Sequence, residues 1–394
     1  MKHDIRILVS GASVAGLSTA YWLARYGFQV TVVERAPHLR PGGQALDVRG
    51  PALEVAERMG ILATLRERAT RLTGMSVVDA GGQELFRSTE RTLTGGRFDS
   101  PDVEILRDDL CQVLYKAVEE HVAFLFDDRI TSITQDESGV DVAFARAAPR
   151  RFDLVIGADG LHSGVRRLVF GPEEPFLRFV GFHVAVFAAP NFLGLDHWQV
   201  FHDQGNLMAG VLAMDRDAPA RVYLGFGSAE ALDYDYRDIA AQKRLVTERF
   251  AGAAWEIPQL LAHMQDAPDF YFDATHQVRM DSWSSARVVL VGDAGYSVSP
   301  ATGQGTTVAM VGAYVLAGEL AACPSALVAG IGHYEHALRD YIARNQDLAI
   351  DMMAQDTSLG QSEDADSATH PDGVPDFGQM VQPFRLKPYP EPVQ

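Results

Sequence analysis

Ile5-Arg6-Ile7-Leu8-Val9-Ser10-Gly11-Ala12-Ser13-Val14-Ala15-Gly16-Leu17 decides the fold. An apolar run of strand type enters Gly-x-x-x-x-Gly, and a small-residue amphipathic helix follows over about 14–26. The next apolar run, Gln29 to Val33, ends on Glu34. Strand, tight turn, helix, strand and acid form the layout that sets a nucleotide pyrophosphate on a helix N-terminus and a carboxylate on the ribose. Gly11 permits the turn, and Gly16 lets the helix approach the strand. Ser13 takes the place of the middle glycine of the usual pattern, where a small side chain still allows close backbone approach. Glu34 follows Gly16 by eighteen residues, near the ~20-residue offset of a ribose acid. An acid there favours a free ribose, hence NAD or FAD over NADP.

Two later stretches repeat the design. Phe152 to Ile156 is an apolar strand that runs into Gly157-Ala158-Asp159-Gly160, then Ser163 and a helix carrying Arg166 and Arg167. Val288 to Val291 leads into Gly292-Asp293, a loop with Pro300, and Gly303-Gln304-Gly305 opening a helix over about 304–321. Asp293 at a strand end is placed to accept from sugar hydroxyls, and the glycine-flanked helix start suits an anion or a ring. Between them, 35–49 reads as a Pro- and Gly-rich loop, 51–69 as a helix broken near Gly60, 73–95 as a hairpin and 104–121 as a helix. Arg107 in that helix's first turn opposes the helix dipole, so it is either solvated or paired with an anion. Segments 180–188, 197–203, 207–214 and 221–227 are strands without intervening helices, which predicts a separate, mainly antiparallel sheet. Helix is expected over 236–266 and 331–355, strand over 270–272 and 275–280, and a loosely attached Ser-, Asp- and Pro-rich tail from 356.

Composition narrows the class. The 394 residues exceed what one core usually organises. A net charge of −18 argues against nucleic-acid and anionic-membrane partners. Cys111 and Cys323 are the only cysteines, too few for a disulfide framework or metal site, and they suit a reducing cytosol. No membrane span and no signal peptide are expected, since strand residues begin within five positions of Met1. His333 and His336 are read as packed or solvated rather than metal-binding.

The three ordered motifs resemble the class A flavoprotein monooxygenases, the family of para-hydroxybenzoate hydroxylase. The pattern is closest to a bacterial branch that modifies tetracyclines and tailors polyketides, and it covers residues 1 to about 350. The resemblance implies an α/β fold: a Rossmann-like FAD-binding domain of the GR2 type, over 1–72, 96–174 and 275–330. A mainly antiparallel substrate domain would span 73–95 and 175–274, with a C-terminal helix over 331–355 and the tail over 356–394. It further implies that Gly11, Ser13, Val14, Ala15 and Gly16 cradle the FAD pyrophosphate, with Glu34 on the ribose and Arg35 by the adenine. Arg40, Gly43 and Asp47 would lie on the flavin side, and Arg107 would reach FAD. Asp159 would support FAD and nicotinamide use. Gly292 and Asp293 would hold the ribityl chain, and Pro300, Gly303, Gln304 and Gly305 would pass the isoalloxazine. Tyr296 and Gly312 depart from a His and an Asp common in the family.

The implied reaction is reduction of FAD by NADPH or NADH, addition of O2 at C4a, and transfer of one oxygen atom from the hydroperoxide to an aromatic or polycyclic small molecule, most simply as hydroxylation. No protein residue is assigned as catalytic, because the cofactor carries the chemistry. His183, Ala185, Trp198, Phe201, Met208, Phe226 and Phe272 are candidates to line the substrate pocket. Competing readings are an oxidase or dehydrogenase of the same fold, a halogenase, for which only the fragment Trp255-Glu256-Ile257-Pro258 speaks, and a non-catalytic small-molecule-binding flavoprotein. Oligomeric state is left open.

Overall fold

The run Arg6–Ser10 buries four of its five residues, so it needs cover on both faces and becomes an interior strand. The structure is a computed structural model that describes residues 4–90, 97–359 and 383–389. Arg6–Ser10 lies inside a six-stranded sheet ordered Ser284–Ser285, Val288–Leu290, Leu154–Gly157, Arg6–Ser10, Gln29–Val33, Ala123–Leu125. Every neighbouring pair is parallel except the first. Val9 stands between Ile156 and Val32, and Gly157 pairs with Leu290. The strands that carry the three glycine turns are therefore adjacent, and their turns share one sheet edge. Ligands of open α/β sheets bind at such an edge.

The helix Gly305–Ala322 is apolar on all sides because protein surrounds it. It packs on Val14–Arg25, on Pro51–Arg58 and on the long helix Leu327–Leu359. It is the single helix among the described residues long and apolar enough to cross a membrane, and 83% of it is buried inside the fold. Gly312 in this helix explains both departures at once. A Cβ there would stand 2.0 Å from the Tyr296 hydroxyl. Tyr296 fills the space and shares a hydrogen bond of 2.9 Å with the Tyr334 hydroxyl, which also donates to the Leu290 carbonyl.

A second sheet has seven strands, ordered Tyr271–Val278, Leu177–Ala189, Ala220–Gly227, Leu207–Ala213, Trp198–Gln204, Gly74–Val78, Glu84–Ser88. All pairs are antiparallel except Trp198–Gln204 with Gly74–Val78, where Trp198 lies opposite Gly74. Its back face packs on the helices Ile239–Arg249 and Ile257–Asp266 through Ala185, Phe187, Leu224, Phe226 and Phe272. Its front face turns toward the first sheet's side of the molecule, where the Tyr223 hydroxyl accepts from the Ala45 N–H at 2.9 Å.

Several local readings change. Residues 45–48 are not loop: Ala45–Val48 pairs antiparallel with Val103–Leu106, and the helix expected over 104–121 starts only at Arg107 and ends at Lys116. Leu46 and Val48 alternate with Asp47 and Arg49, a strand pattern that the flanking glycines obscure. The 236–266 helix is two helices, divided where Gly252 and Trp255 take positive φ. The 51–69 helix likewise divides at Gly60, φ +75°. The hairpin forms over Gly74–Val78 and Glu84–Ser88, while residues 91–96 lie outside the described residues. The tail reading also needs correction where it is described. Residues 383–389 dock on the two long helices: Leu386 is buried, and Lys387 and the Tyr389 hydroxyl reach Glu319 at 2.8 and 2.9 Å. Residues 360–382 and 390–394 lie outside the described residues.

Candidate functional site

The first turn is built so that no side chain fits between strand and helix. A Cβ on Gly11, φ +105°, would meet the Ala158 carbonyl oxygen at 2.5 Å, and one on Gly16 would meet the Gly11 oxygen at 1.9 Å. Ser13 is the N-cap of the helix Val14–Arg25, yet its hydroxyl caps nothing and lies 3.7 Å from Cys111 Sγ. The opening N–H groups, among them those of Val14 and Ala15, thus keep the unmet donors that attract an anion. The Val14 side chain itself is buried. Glu34 accepts from the Ala12 N–H and the Ala36 N–H, both at 2.8 Å, which pins its carboxylate beside the turn with lone pairs to spare. Arg35 and Arg40 are exposed alongside it.

Arg107 is half-buried and tied to the 40–44 loop. Its guanidinium donates to the carbonyls of Arg40 and Gly42 at 2.8 and 2.9 Å, and a Cβ on Gly43, φ +112°, would collide with its Nε. Burial lowers its pKa. The side chain therefore shapes the 40–44 loop from beneath. Asp108 accepts from the Gly42 N–H at 2.9 Å, and Arg221 joins Asp108 and Asp269, so the front sheet grips the same loop. Sequence reasoning missed this clamp, because Asp108, Arg221 and Asp269 lie far apart in the chain and carry no shared motif.

The second and third turns are fastened together. Asp159 accepts from Ser163 Oγ and from the Val165 N–H at 3.1 Å, anchoring the helix Gly164–Phe170, and burial raises its pKa. Arg166 is fully buried and donates to the Ala294 carbonyl at 2.9 Å, one residue past Asp293. Gly292, φ +65°, would place a Cβ 2.9 Å from the Ala15 Cβ, so this turn sits over the start of the first helix. The Asp293 carboxylate is open to solvent while protein rings it, the mark of a groove floor; that enclosure raises its pKa, and a hydrogen bond with Ser297 opposes the rise. Pro300 begins a short 3-10 turn. Gly303, φ +63°, lies against Asp47 Oδ2 and Arg49. Among the described residues, nothing lies within 4 Å of a Cβ on Gly305, the first residue of its helix. Gln304 is buried, and its Oε1 has no hydrogen-bond partner among the described residues.

The three glycine turns thus meet at one sheet edge, with open backbone donors at the first helix, an acid at the end of the third strand, and room over Gly305. The donors and the room fit a dinucleotide with a planar ring. The comparisons agree. Residues 4–348 match the family model described as FAD binding domain. The chain belongs to this family of FAD-dependent monooxygenases.

Relatives of this flavoprotein include an uncharacterised protein of Mycobacterium tuberculosis (strain ATCC 25618 / H37Rv), 54% identical over 91% of this chain and 96% of its own. A flavin-dependent monooxygenase of Legionella longbeachae serogroup 1 is 39% identical over 89% of each chain. Among solved structures, tetracycline destructase Tet(51) superposes with a TM-score of 0.86 at 33% identity, covering 98% of this chain and all of its own. Tet(55) gives 0.84 at 36%, covering 99% and all of its own.

The candidate pocket residues of the monooxygenase divide by sheet face. Phe201 and Met208 lie on the front: the Phe201 ring covers Gly210, and Met208 lies beside Gly225, over which the Phe182 ring sits. Ala185, Phe226 and Phe272 are instead back-face core against the two helices. His183 joins them, stacked on Phe226 at 4.9 Å, and burial drives its pKa down to about 4. Trp198 pairs opposite Ala213, a back-face residue, and lies under Arg87. Period-two alternation separates the faces of a strand but does not say which one a second layer covers.

Proposed function

We propose that this monooxygenase uses NADPH or NADH to hydroxylate a flat polycyclic or aromatic substrate of the tetracycline and polyketide kind. The observation that carries the reading is the open space at Gly305 among the described residues, next to the Gly303 turn on Asp47 and Arg49; the sheet face that bears Phe182, Phe201 and Met208 reaches the strand carrying Asp47 through the Tyr223 hydroxyl at Ala45. The bound FAD supplies the oxygen-transfer chemistry. The protein supplies four things. Gly11 to Gly16 bind the pyrophosphate on helix-terminal N–H groups. Glu34 and Asp293 orient the two sugar portions. The Arg107 and Arg221 contacts hold the 40–44 loop, and with it the ring-side wall. The front-face aromatic rings exclude water and stack on the substrate.

Abundant reduced nicotinamide suits a cytosolic setting. The test is to load the purified protein with FAD, reduce it without oxygen using NADPH and NADH separately, and run turnover with tetracyclines and aromatic polyketides under 18O2. One labelled oxygen atom in the product and substrate-stimulated NAD(P)H consumption are expected. Substrate oxidation with no label would replace this reading by an oxidase.

A further inference from the structure

The short ladder beside the groove holds more acid than base. Asp47 stands directly opposite Glu104 in the pairing of Ala45–Val48 with Val103–Leu106. Facing residues of such a ladder have Cβ atoms about 4.5–5.5 Å apart, and like charges there repel. Asp102 lies at the head of the second strand, 3.7 Å from Arg49 Nε. Arg49 is 3% exposed, bonds Asp47 at 3.0 Å, and has no hydrogen-bond partner on Nε among the described residues. Among the described residues, the remaining groups that face the pair bring no cation. Thr70 donates to Glu104 at 2.6 Å. Tyr223 of the front sheet, neutral, accepts from Ala45. Arg221 is already held by Asp269. Three carboxyl groups therefore surround one guanidinium.

We propose that Asp47 and Glu104 share a single proton at neutral pH, and that Glu104 is thereby a positioning residue which keeps Asp47 and Arg49 locked under the Gly303 turn. The second half rests on the reading of Gly303 to Gly305 as the place of the flavin ring. The packing leaves the turn little slack: a Cβ at Gly303 would stand 3.1 Å from Asp47 Oδ2 and 3.3 Å from an Arg49 terminal nitrogen. Loss of the proton sets two like charges face to face and draws Asp47 off Arg49, and the turn follows. Burial pushes the Glu104 carboxyl up to about 7, the Asp47 charge adds to the rise, and Thr70 and Arg49 oppose it. Burial raises Asp47 as well.

The sign is definite. The native state retains a proton that the unfolded chain gives up near the ordinary glutamate pKa, so stability falls as pH rises from about 5 to about 7 and then levels. Thermal midpoints of the flavin-free protein across this window test the shared proton. Wild type falls more steeply than Glu104→Gln, which has no proton to lose. Thr70→Val, which removes a bond that favours the ionised form, extends the fall to higher pH; it decides the matter if Glu104→Gln does not fold. Identical slopes in wild type and Glu104→Gln, or a fall that ends at the same pH in wild type and Thr70→Val, overturn the shared proton. The positioning role has its own readout. In the FAD-loaded protein, the visible flavin band shifts with pH near neutrality in wild type and not in Glu104→Gln. A band that ignores pH in wild type, or moves equally in both, overturns it. Failure to bind FAD at all would sink the flavin reading and the positioning role together, while the thermal result on the proton stands.

Discussion

At the scale of single residues, the groove is set by groups whose role is local. Glu34 is held by two backbone donors, and hydrogen bonds to charged groups are worth about 1.5–3 kcal/mol each. Glu34→Ala is expected to weaken FAD binding at least tenfold, measured by quenching of FAD fluorescence on titration; unchanged affinity would remove Glu34 from the ribose site. His162 makes a pH prediction. Burial alone would lower its pKa, but hydrogen bonds and charges from Asp273 and Glu173 outweigh that and raise it to about 9. The pair energy is present below about pH 6.5 and is lost as pH rises through about 9, some 2–3 kcal/mol at full effect. Replacing His162 with Gln should flatten the decline of thermal stability over that window. The glycine turns were readable because a missing Cβ is visible in one letter. The clamp of Arg221 on Asp108 and Asp269 was not, because ordinary charged residues become a site only when distant strands meet.

At the scale of elements, the helix Gly305–Ala322 and the Tyr296 turn form one unit. Gly312→Ala drives a methyl group into the Tyr296 hydroxyl, and overpacking of this kind costs about 1–3 kcal/mol. Tyr296→Phe removes the obstructing oxygen and the bond to Tyr334, at about 1 kcal/mol. The double variant should therefore be more stable than the sum of the singles predicts, as a double-mutant cycle in denaturant would show. Additive losses would mean that the two positions do not touch. Strand positions in the second sheet were legible, since their alternating runs and turns are local. The facing of those strands was not. His183 and Phe226 look like pocket aromatics in isolation, yet two helices arriving later in the chain claim that side of the sheet.

At the scale of the molecule, the end of the described chain stabilises its middle. Glu319 has only 5% of its side chain exposed and is met by Lys387 and Tyr389. Deleting residues 383–394 would leave that carboxylate buried with His333, 3.7 Å away, as its one possible cation among the described residues. A loss of about 1–3 kcal/mol is expected, read as a lower thermal midpoint, and Glu319→Leu in the truncated chain should restore part of it. No recovery would mean that the segment acts only through packing of Leu386 and its neighbours. Composition gave no hint of this docking, because a Pro-rich segment reads as unstructured whether or not a buried acid awaits it.

One pairing limits how the molecule can be divided. Gly74–Val78 lies beside Trp198–Gln204 in parallel, so a strand contributed before the second glycine turn completes a sheet made mostly after it. A fragment cut to begin at Leu177 would expose the whole flank of Trp198–Gln204, a ready template for joining other copies. Such a fragment is expected to precipitate rather than fold. No single cut yields both sheets whole: the seven-stranded one borrows Gly74–Val78 from within the stretch of chain that builds the six-stranded one.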